Sequence, residues 1–310
     1  MRIVVTGGAG FIGSHFVDKI VNEGMDVVVV DNLITGSVEN IKEHIDNGAV
    51  QFIQQDVQEF LDIEGEVDSV VHLASIASPK AYVKYPVNTL KSGSLGTINS
   101  LGLAKVKKAK YVLASTSEVY GDPQISPQKE DYWGNVNPIG PRSMYDESKR
   151  FAEAAATTYV TEFALDVKIA RIFNTYGTRM QVNDGRVVTN FIYQALKNED
   201  ITIYGDGSQT RSLSYVSDTI EYLFRLMQSD YKSVVNIGNP DEIRIIDLAE
   251  KIIEKTNSKS KLIHLDLPED DPKQRKPDIS LAVKELNYSP VVTLDEGLSI
   301  LINWIEEKIK

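Results

Sequence analysis

Tyr145 and Lys149 stand four residues apart in MYDESKR, a spacing that places both on one face of a helix. A tyrosine ordinarily ionises near pH ~10, and a neighbouring ammonium favours the phenolate, so such a pair can serve as a base toward a hydroxyl group. Spacing alone decides little, because Tyr193 and Lys197 repeat it. Context separates the two. STSEVYG at 115–121 follows an apolar strand-like run and precedes the first pair. It offers the Thr116 and Ser117 hydroxyls near the carboxyl end of a sheet, where open α/β folds bind their ligands. We read Tyr145 and Lys149 as the catalytic pair and Tyr193 and Lys197 as an ordinary helix pair.

A second constellation suits a dinucleotide. Gly7, Gly10 and Gly13 stand in TGGAGFIG between an apolar strand, MRIVV, and a helical stripe of Phe11, Ile12, Phe16, Ile20 and Val21. Glycines there let the backbone approach a pyrophosphate, and the helix N-terminus stabilises its charge. Asp31 closes the next strand, DVVVVDN, where a carboxylate accepts hydrogen bonds from an adenosine ribose. It also repels a 2′-phosphate, and no arginine follows directly in DNLITG, so NAD is expected over NADP. Asp56, in QQDV, is placed to contact the adenine or to cap a helix. Asn32, Val57, Leu73 and Ala74 complete the expected cofactor surface with Phe11 and Ile12.

These residues need a scaffold. Apolar runs at 50–57, 67–75, 109–116 and 165–172 alternate with helical segments, which predicts a Rossmann-type α/β fold: a doubly wound parallel sheet with helices on both faces. The cofactor domain is expected over residues 1–175, including the Tyr/Lys pair. Residues 176–310 then form mainly a smaller substrate-binding region, with some chain crossing back to the sheet. Two long helices are predicted, Val87 to Lys108 and Ser143 to Phe163, and a homodimer through them is expected. Beyond Arg171 the turn-rich segments NTYGTRMQVNDGR, YGDGSQTR, GNPDE and LPEDDPKQRKPD are expected to build a binding site.

Composition bounds the chemistry. With 33 Lys and Arg against 44 Asp and Glu, the net charge is −11, which argues against a nucleic-acid partner and leaves any anionic ligand to local cations and backbone N–H groups. The absence of cysteine excludes disulfides, thiolate nucleophiles and cysteine-ligated metals. His15, His44, His72 and His264 lack metal-ligand spacing, so no metal is expected. No stretch reaches the ~20 apolar residues of a membrane span. A strand-like run already begins at residue 2, so no membrane association and a cytoplasmic location are expected.

TGGAGFIG, STSEVYG, the Tyr145/Lys149 pair and ARIFNTYG together resemble the extended short-chain dehydrogenase/reductase family of nucleotide-sugar epimerases, dehydratases and decarboxylases. Longer strings, LASTSEVYGDP, YWGNVNPIGPRSMYDESKR, DGRVVTNFI, YGDGSQTRSLSYVSD and DDPKQRKPDI, are similar to those of its UDP-glucuronate-decarboxylating members. The resemblance implies oxidation of the sugar C4 hydroxyl by NAD, loss of the C6 carboxylate, and internal return of the hydride to give UDP-xylose. It implies that Tyr145 takes the C4 proton, that Thr116 bonds the same oxygen, and that Lys149 holds the nicotinamide ribose. Glu118 would act in acid/base work or water placement near C5, and Arg275 would hold the substrate carboxylate. Arg186 and Arg211 match cations for the UDP pyrophosphate, Asn174 and Tyr204 line the same cleft, and Tyr82 reaches toward the glucuronate carboxylate. A UDP-sugar 4-epimerase is the alternative, against which Glu118 and Arg275 argue. A non-catalytic sensor would not need Tyr145, Lys149 and Thr116 together. Three positions depart from the family's strings: Gly93 replaces the asparagine of TNVLGT, Ser148 the glycine of YDEGK, and Thr178 the proline of YGPRM.

Overall fold

The structure is a computed structural model that describes residues 1–182, 185–267 and 274–310. Its centre is a parallel sheet of β1 (Arg2–Thr6), β2 (Asp26–Asp31), β3 (Val50–Gln54), β4 (Ser69–His72), β5 (Lys110–Thr116), β6 (Val167–Ile172) and β7 (Val234–Ile237). These seven strands lie in the order β7-β6-β5-β4-β1-β2-β3. All six pairings are parallel. Alternation along each strand builds two cores. Ile3, Val5, Val27 and Val29 face one side with Phe16 and Ile20 of the helix Phe11–Asn22. Val4, Val28 and Val30 face the other with Leu101 and Ala104 of the helix Thr97–Lys107 and Ala152 and Ala156 of the helix Ser143–Phe163. Burial on both faces is why these strands read as continuous apolar runs. The doubly wound Rossmann-type sheet is the predicted one, and its order reverses between β1 and β4, where a crevice opens at the strand ends.

The helix Ser143–Phe163 forms as its sequence predicts. The expected helix from Val87 to Lys108 forms as well, running without interruption from Pro86 to Lys107 with one π-helical turn inside it. The chain runs as Pro79–Lys84, a restart at Pro86–Lys91, a π-helical turn at Ser92–Gly96, and then Thr97–Lys107. Pro86 supplies the restart, since proline suits the first helical turn and breaks a preceding one. The widened turn falls where the backbone presses on neighbours: a Cβ at Gly96 would meet Val57 Cγ2 at 2.6 Å, and one at Gly93 would meet Ser148 at the same distance.

Beyond β6 the chain adds the helices Val187–Lys197, Val216–Gln228, Ile245–Thr256 and Leu294–Ile309 around short strand pairs. The strand Thr210–Ser212 lies between Glu242–Arg244 and Gln274–Arg275. Asn183, Asp184 and residues 268–273, which fall within the turn-rich segments predicted from sequence, lie outside the described residues. Among the described residues no helix is long and apolar enough to cross a membrane.

Candidate active site

The glycine turn is shaped by contacts that exclude side chains. Gly7 has φ 74°, and a Cβ there would sit 2.6 Å from the Ala74 nitrogen; one at Gly13 would sit 2.0 Å from the Gly7 oxygen. Gly10 caps the helix Phe11–Asn22 without a side-chain bond, and no acidic residue occupies the first turn. Its N–H groups and positive dipole end are thus left to an anionic group. Asp31 is buried at the end of β2, accepting hydrogen bonds from Ala9 N at 3.0 Å and Leu33 N at 2.8 Å. Asp56 accepts from Asn32 Nδ2 at 2.9 Å and from Gln58 N at 2.9 Å, so it closes a local turn beside Asp31. Val57 is buried under Gly96, while Ile12 and Leu73 border the cleft. A bare helix N-terminus, glycines that only Cβ-free residues can occupy and a fixed carboxylate fit a dinucleotide with an unphosphorylated ribose.

From this cradle a cleft of about 960 Å³ opens toward the C-terminal region. Its wall includes Tyr145, Lys149, Thr116 and Glu118, together with Tyr82, Asn174, Tyr204, Arg186, Arg211 and Arg275. Residues spread over most of the chain therefore meet in one space. Ser117 is buried in the turn Ser117–Tyr120 and does not form part of that wall. Tyr193 and Lys197 do not border it either; Lys197 Nζ approaches Ile309 O at 3.5 Å on the surface.

Lys149 Nζ donates to Ala114 O at 2.8 Å, and burial lowers its pKa to about 8 against the opposing charge of Glu153. The amine lies 6.0 Å from the Tyr145 ring centre. Burial is also the largest influence on the Tyr145 phenol, pushing it up, while a hydrogen bond with Thr116 and the charge of Arg186 pull it down. Thr116 is the direct partner of the phenol, a division of labour the four-residue spacing does not reveal. Tyr82 stacks its ring on Tyr145, with centroids 5.4 Å apart and planes 10° from parallel. It therefore fixes the tilt of the phenol, in addition to bordering the cleft where it was expected to meet a carboxylate.

Glu118 is clamped. Arg275 Nη1 pairs with its Oε1, and Arg142 Nη2 lies 2.6 Å from Oε2. Burial works against the carboxylate, yet Arg275, Arg142 and Arg211 outweigh it and hold its pKa below the usual range. Arg275 is only 3% exposed and also donates to Gly121 O at 2.8 Å. Strand register sets it abreast of Arg211, its Cα partner. The flanking backbone is zipped to a distant loop: Gln128 N donates to Lys276 O and Asp278 N to Gln128 O, both at 2.8 Å. Asn236 of β7 donates to Gln128 O at 3.0 Å and Asp278 O at 3.1 Å, anchoring that zipper to the sheet. Arg142 was missed from sequence although it sits in the quoted string GPRSMYDESKR; as the residue before a helix it had no periodicity to mark it. Arg186 stands at the N-cap of the helix Val187–Lys197, so the start of this helix adjoins the cleft.

A profile described as the NAD dependent epimerase/dehydratase family matches residues 3–238. The chain belongs to this family. It is 50% identical to UDP-glucuronic acid decarboxylase 1 of Danio rerio over 309 residues, covering 100% of this chain and 73% of that protein. It is 52% identical to UDP-glucuronic acid decarboxylase 6 of Arabidopsis thaliana over 302 residues, covering 97% of this chain and 88% of that protein. Among solved structures it is similar to UDP-glucose 4-epimerase of Thermotoga maritima with UDP-glucose, with TM-score 0.90, 29% identity and full coverage of both chains. It is also similar to UDP-glucuronic acid 4-epimerase of Bacillus cereus with UDP-glucuronic acid and NAD, with TM-score 0.88 and 29% identity over 99% of this chain and 100% of that one.

Proposed function

We propose that the enzyme converts UDP-glucuronate to UDP-xylose, using Tyr145, Thr116 and Lys149 for transient oxidation at C4 and Glu118 with Arg275 for the decarboxylation. The observation that carries this reading is the buried Arg275–Glu118–Arg142 clamp on the same cleft wall as Tyr145. Near-50% identity to named decarboxylases over the whole chain supports it.

Tyr145 takes the proton of the C4 hydroxyl, and Thr116 holds the same oxygen. NAD, when bound, would supply a reversible hydride acceptor for C4, so that no outside redox partner is needed. The Gly7–Gly13 turn and Asp31 would hold that cofactor, and Lys149 would orient its ribose. Oxidation at C4 makes the C6 acid a β-keto acid. The C5–C6 bond then breaks with its electron pair delocalised onto the C4 oxygen, where Tyr145 and Thr116 stabilise the enolate. Arg275 orients the carboxylate before it leaves, and Glu118 places the water that protonates C5. The UDP pyrophosphate lies near the start of Val187–Lys197 between Arg186 and Arg211, with Asn174 and Tyr204 beside the nucleotide. Residues 1–175 serve the cofactor and 176–310 mainly the nucleotide sugar. The enzyme is a homodimer through its two long helical segments.

Purified protein given UDP-glucuronate and NAD is expected to release carbon dioxide and form UDP-xylose in an NMR time course. The fold neighbours that are 4-epimerases favour a second reading, and accumulation of UDP-galacturonate with no carbon dioxide would establish it instead.

A further inference from the structure

The two departures at Gly93 and Ser148 are one feature. Gly93 belongs to the π-helical turn Ser92–Gly96, and Ser148 lies between Tyr145 and Lys149 on the neighbouring helix. A Cβ built on Gly93 falls 2.6 Å from both Cβ and Oγ of Ser148 and 3.2 Å from its carbonyl oxygen. The serine side chain occupies the space a larger residue at 93 would need.

Both sides of the contact lead to the site. Ser148 Oγ donates to Tyr145 O at 2.8 Å, tying the serine to the backbone of the phenol's own residue. Gly93 O accepts from Thr97 Oγ1 at 2.8 Å, and Thr97 Oγ1 lies 3.4 Å from His72 Nε2. His72 Nδ1 lies 2.7 Å from Thr6 Oγ1, the residue immediately before the glycine turn. Every member of this series is buried. It runs from the cofactor cradle, through His72, to the helix that carries Tyr145 and Lys149.

We propose that Gly93 and Ser148 form a size-matched joint that sets the height of the Tyr145/Lys149 helix against the cofactor end of the sheet, making Ser148 a positioning residue whose side chain is admitted only because position 93 has none. The proposal rests on Tyr145 and Lys149 being the redox centre. A Cβ at position 93 drives the two helices apart, and a misplacement of about 1 Å at a reacting group costs on the order of 100-fold in rate.

The test is a four-cornered cycle of wild type, Gly93→Ala, Ser148→Gly and the double variant, with Ser148→Ala added to separate the hydroxyl from the packing. Each is assayed for kcat and KM with UDP-glucuronate, for NAD affinity by calorimetry and for thermal midpoint. Gly93→Ala is expected to lower kcat by about 10- to 100-fold and to weaken NAD binding, with KM for the sugar changed much less. Ser148→Gly/Gly93→Ala is expected to recover most of that loss, because the second change removes the two closest contacts. A double variant no better than Gly93→Ala, or a Gly93→Ala protein indistinguishable from wild type in kcat and NAD affinity, overturns the joint. If Gly93→Ala does not fold, recovery of folded, NAD-binding protein by the double variant still supports the joint, and its failure to recover overturns it. Tyr145→Phe is the control for the underlying reading: full activity in that variant rejects the redox centre, whereas an inactive Tyr145→Phe with no rescue in the cycle rejects the joint alone.

Discussion

Two charges define the reactive end of the cleft, and each makes a prediction about single residues. Arg275→Ala removes the side chain proposed to hold the substrate carboxylate and leaves Glu118 with Arg142 as its close partner. We expect kcat to fall by about 100- to 1,000-fold, the scale of losing one transition-state charge partner. NAD affinity, read by calorimetry, should stay near wild type, since the cradle lies at the other end of the cleft; unchanged turnover would remove Arg275 from the site. Lys149 gives the second prediction. Its ammonium, lowered to about 8 by burial, loses its charge as pH rises through that value. An alkaline limb in kcat/KM is therefore expected near pH 8 for the free enzyme. Glu153 is the group that opposes burial, so Glu153→Gln should move the limb to lower pH. A limb that stays in place assigns it to another group. The types and strings of these residues were legible in the sequence. Their couplings were not, because Thr116 bonding the phenol and Arg142 clamping Glu118 depend on which loops the sheet brings together.

At the level of elements, β4 ends in a buried histidine, His72, beside Thr6 at the end of β1, and stability can report its titration. Burial lowers the His72 pKa to about 3, with the charge of Lys149 acting in the same direction, whereas an unfolded histidine titrates near ~6.5. Between those two values the unfolded chain binds the proton and the folded chain does not. Stability is therefore fully present above pH ~6.5 and is lost as pH falls toward 3, by at most about 1.4 kcal/mol per pH unit from this group. Urea unfolding at pH 7 and pH 5 should show His72→Gln losing less stability on acidification than the wild type does; equal losses would mean other groups govern acid unfolding. The same region shows what the sequence made legible and what it did not. Continuous valine runs announced the strands, because both faces of a parallel sheet are apolar. The π-helical turn at Ser92–Gly96 was hidden, because Gly93 and Gly96 are small to fit Ser148 and Val57, partners distant in sequence.

For the whole molecule, charge and apolar surface are unevenly distributed. A chain of net charge −11 concentrates Arg142, Arg186, Arg211 and Arg275 around one cleft, as a dianionic pyrophosphate and a carboxylate require. Elsewhere, Leu95 and Ile98 remain 49% and 36% exposed on the segment that packs against the helix Ser143–Phe163, while Phe151 and Phe163 on that helix are 45% and 47% exposed. Large apolar side chains gathered on two adjoining helices are the surface on which the proposed homodimer would rest, and a stable symmetric interface buries roughly 1,600 Å² in total. We expect light scattering to give twice the 34.5 kDa chain mass at micromolar concentration. None of these four side chains borders the cleft, so Ile98→Glu combined with Phe151→Glu should yield a monomer that retains NAD binding. Because the helix Ser143–Phe163 also carries Tyr145 and Lys149, freeing its outer face should lower the thermal midpoint and slow turnover together. A wild-type protein that scatters as a single chain, or a double variant that remains dimeric, would assign this apolar surface to some other role.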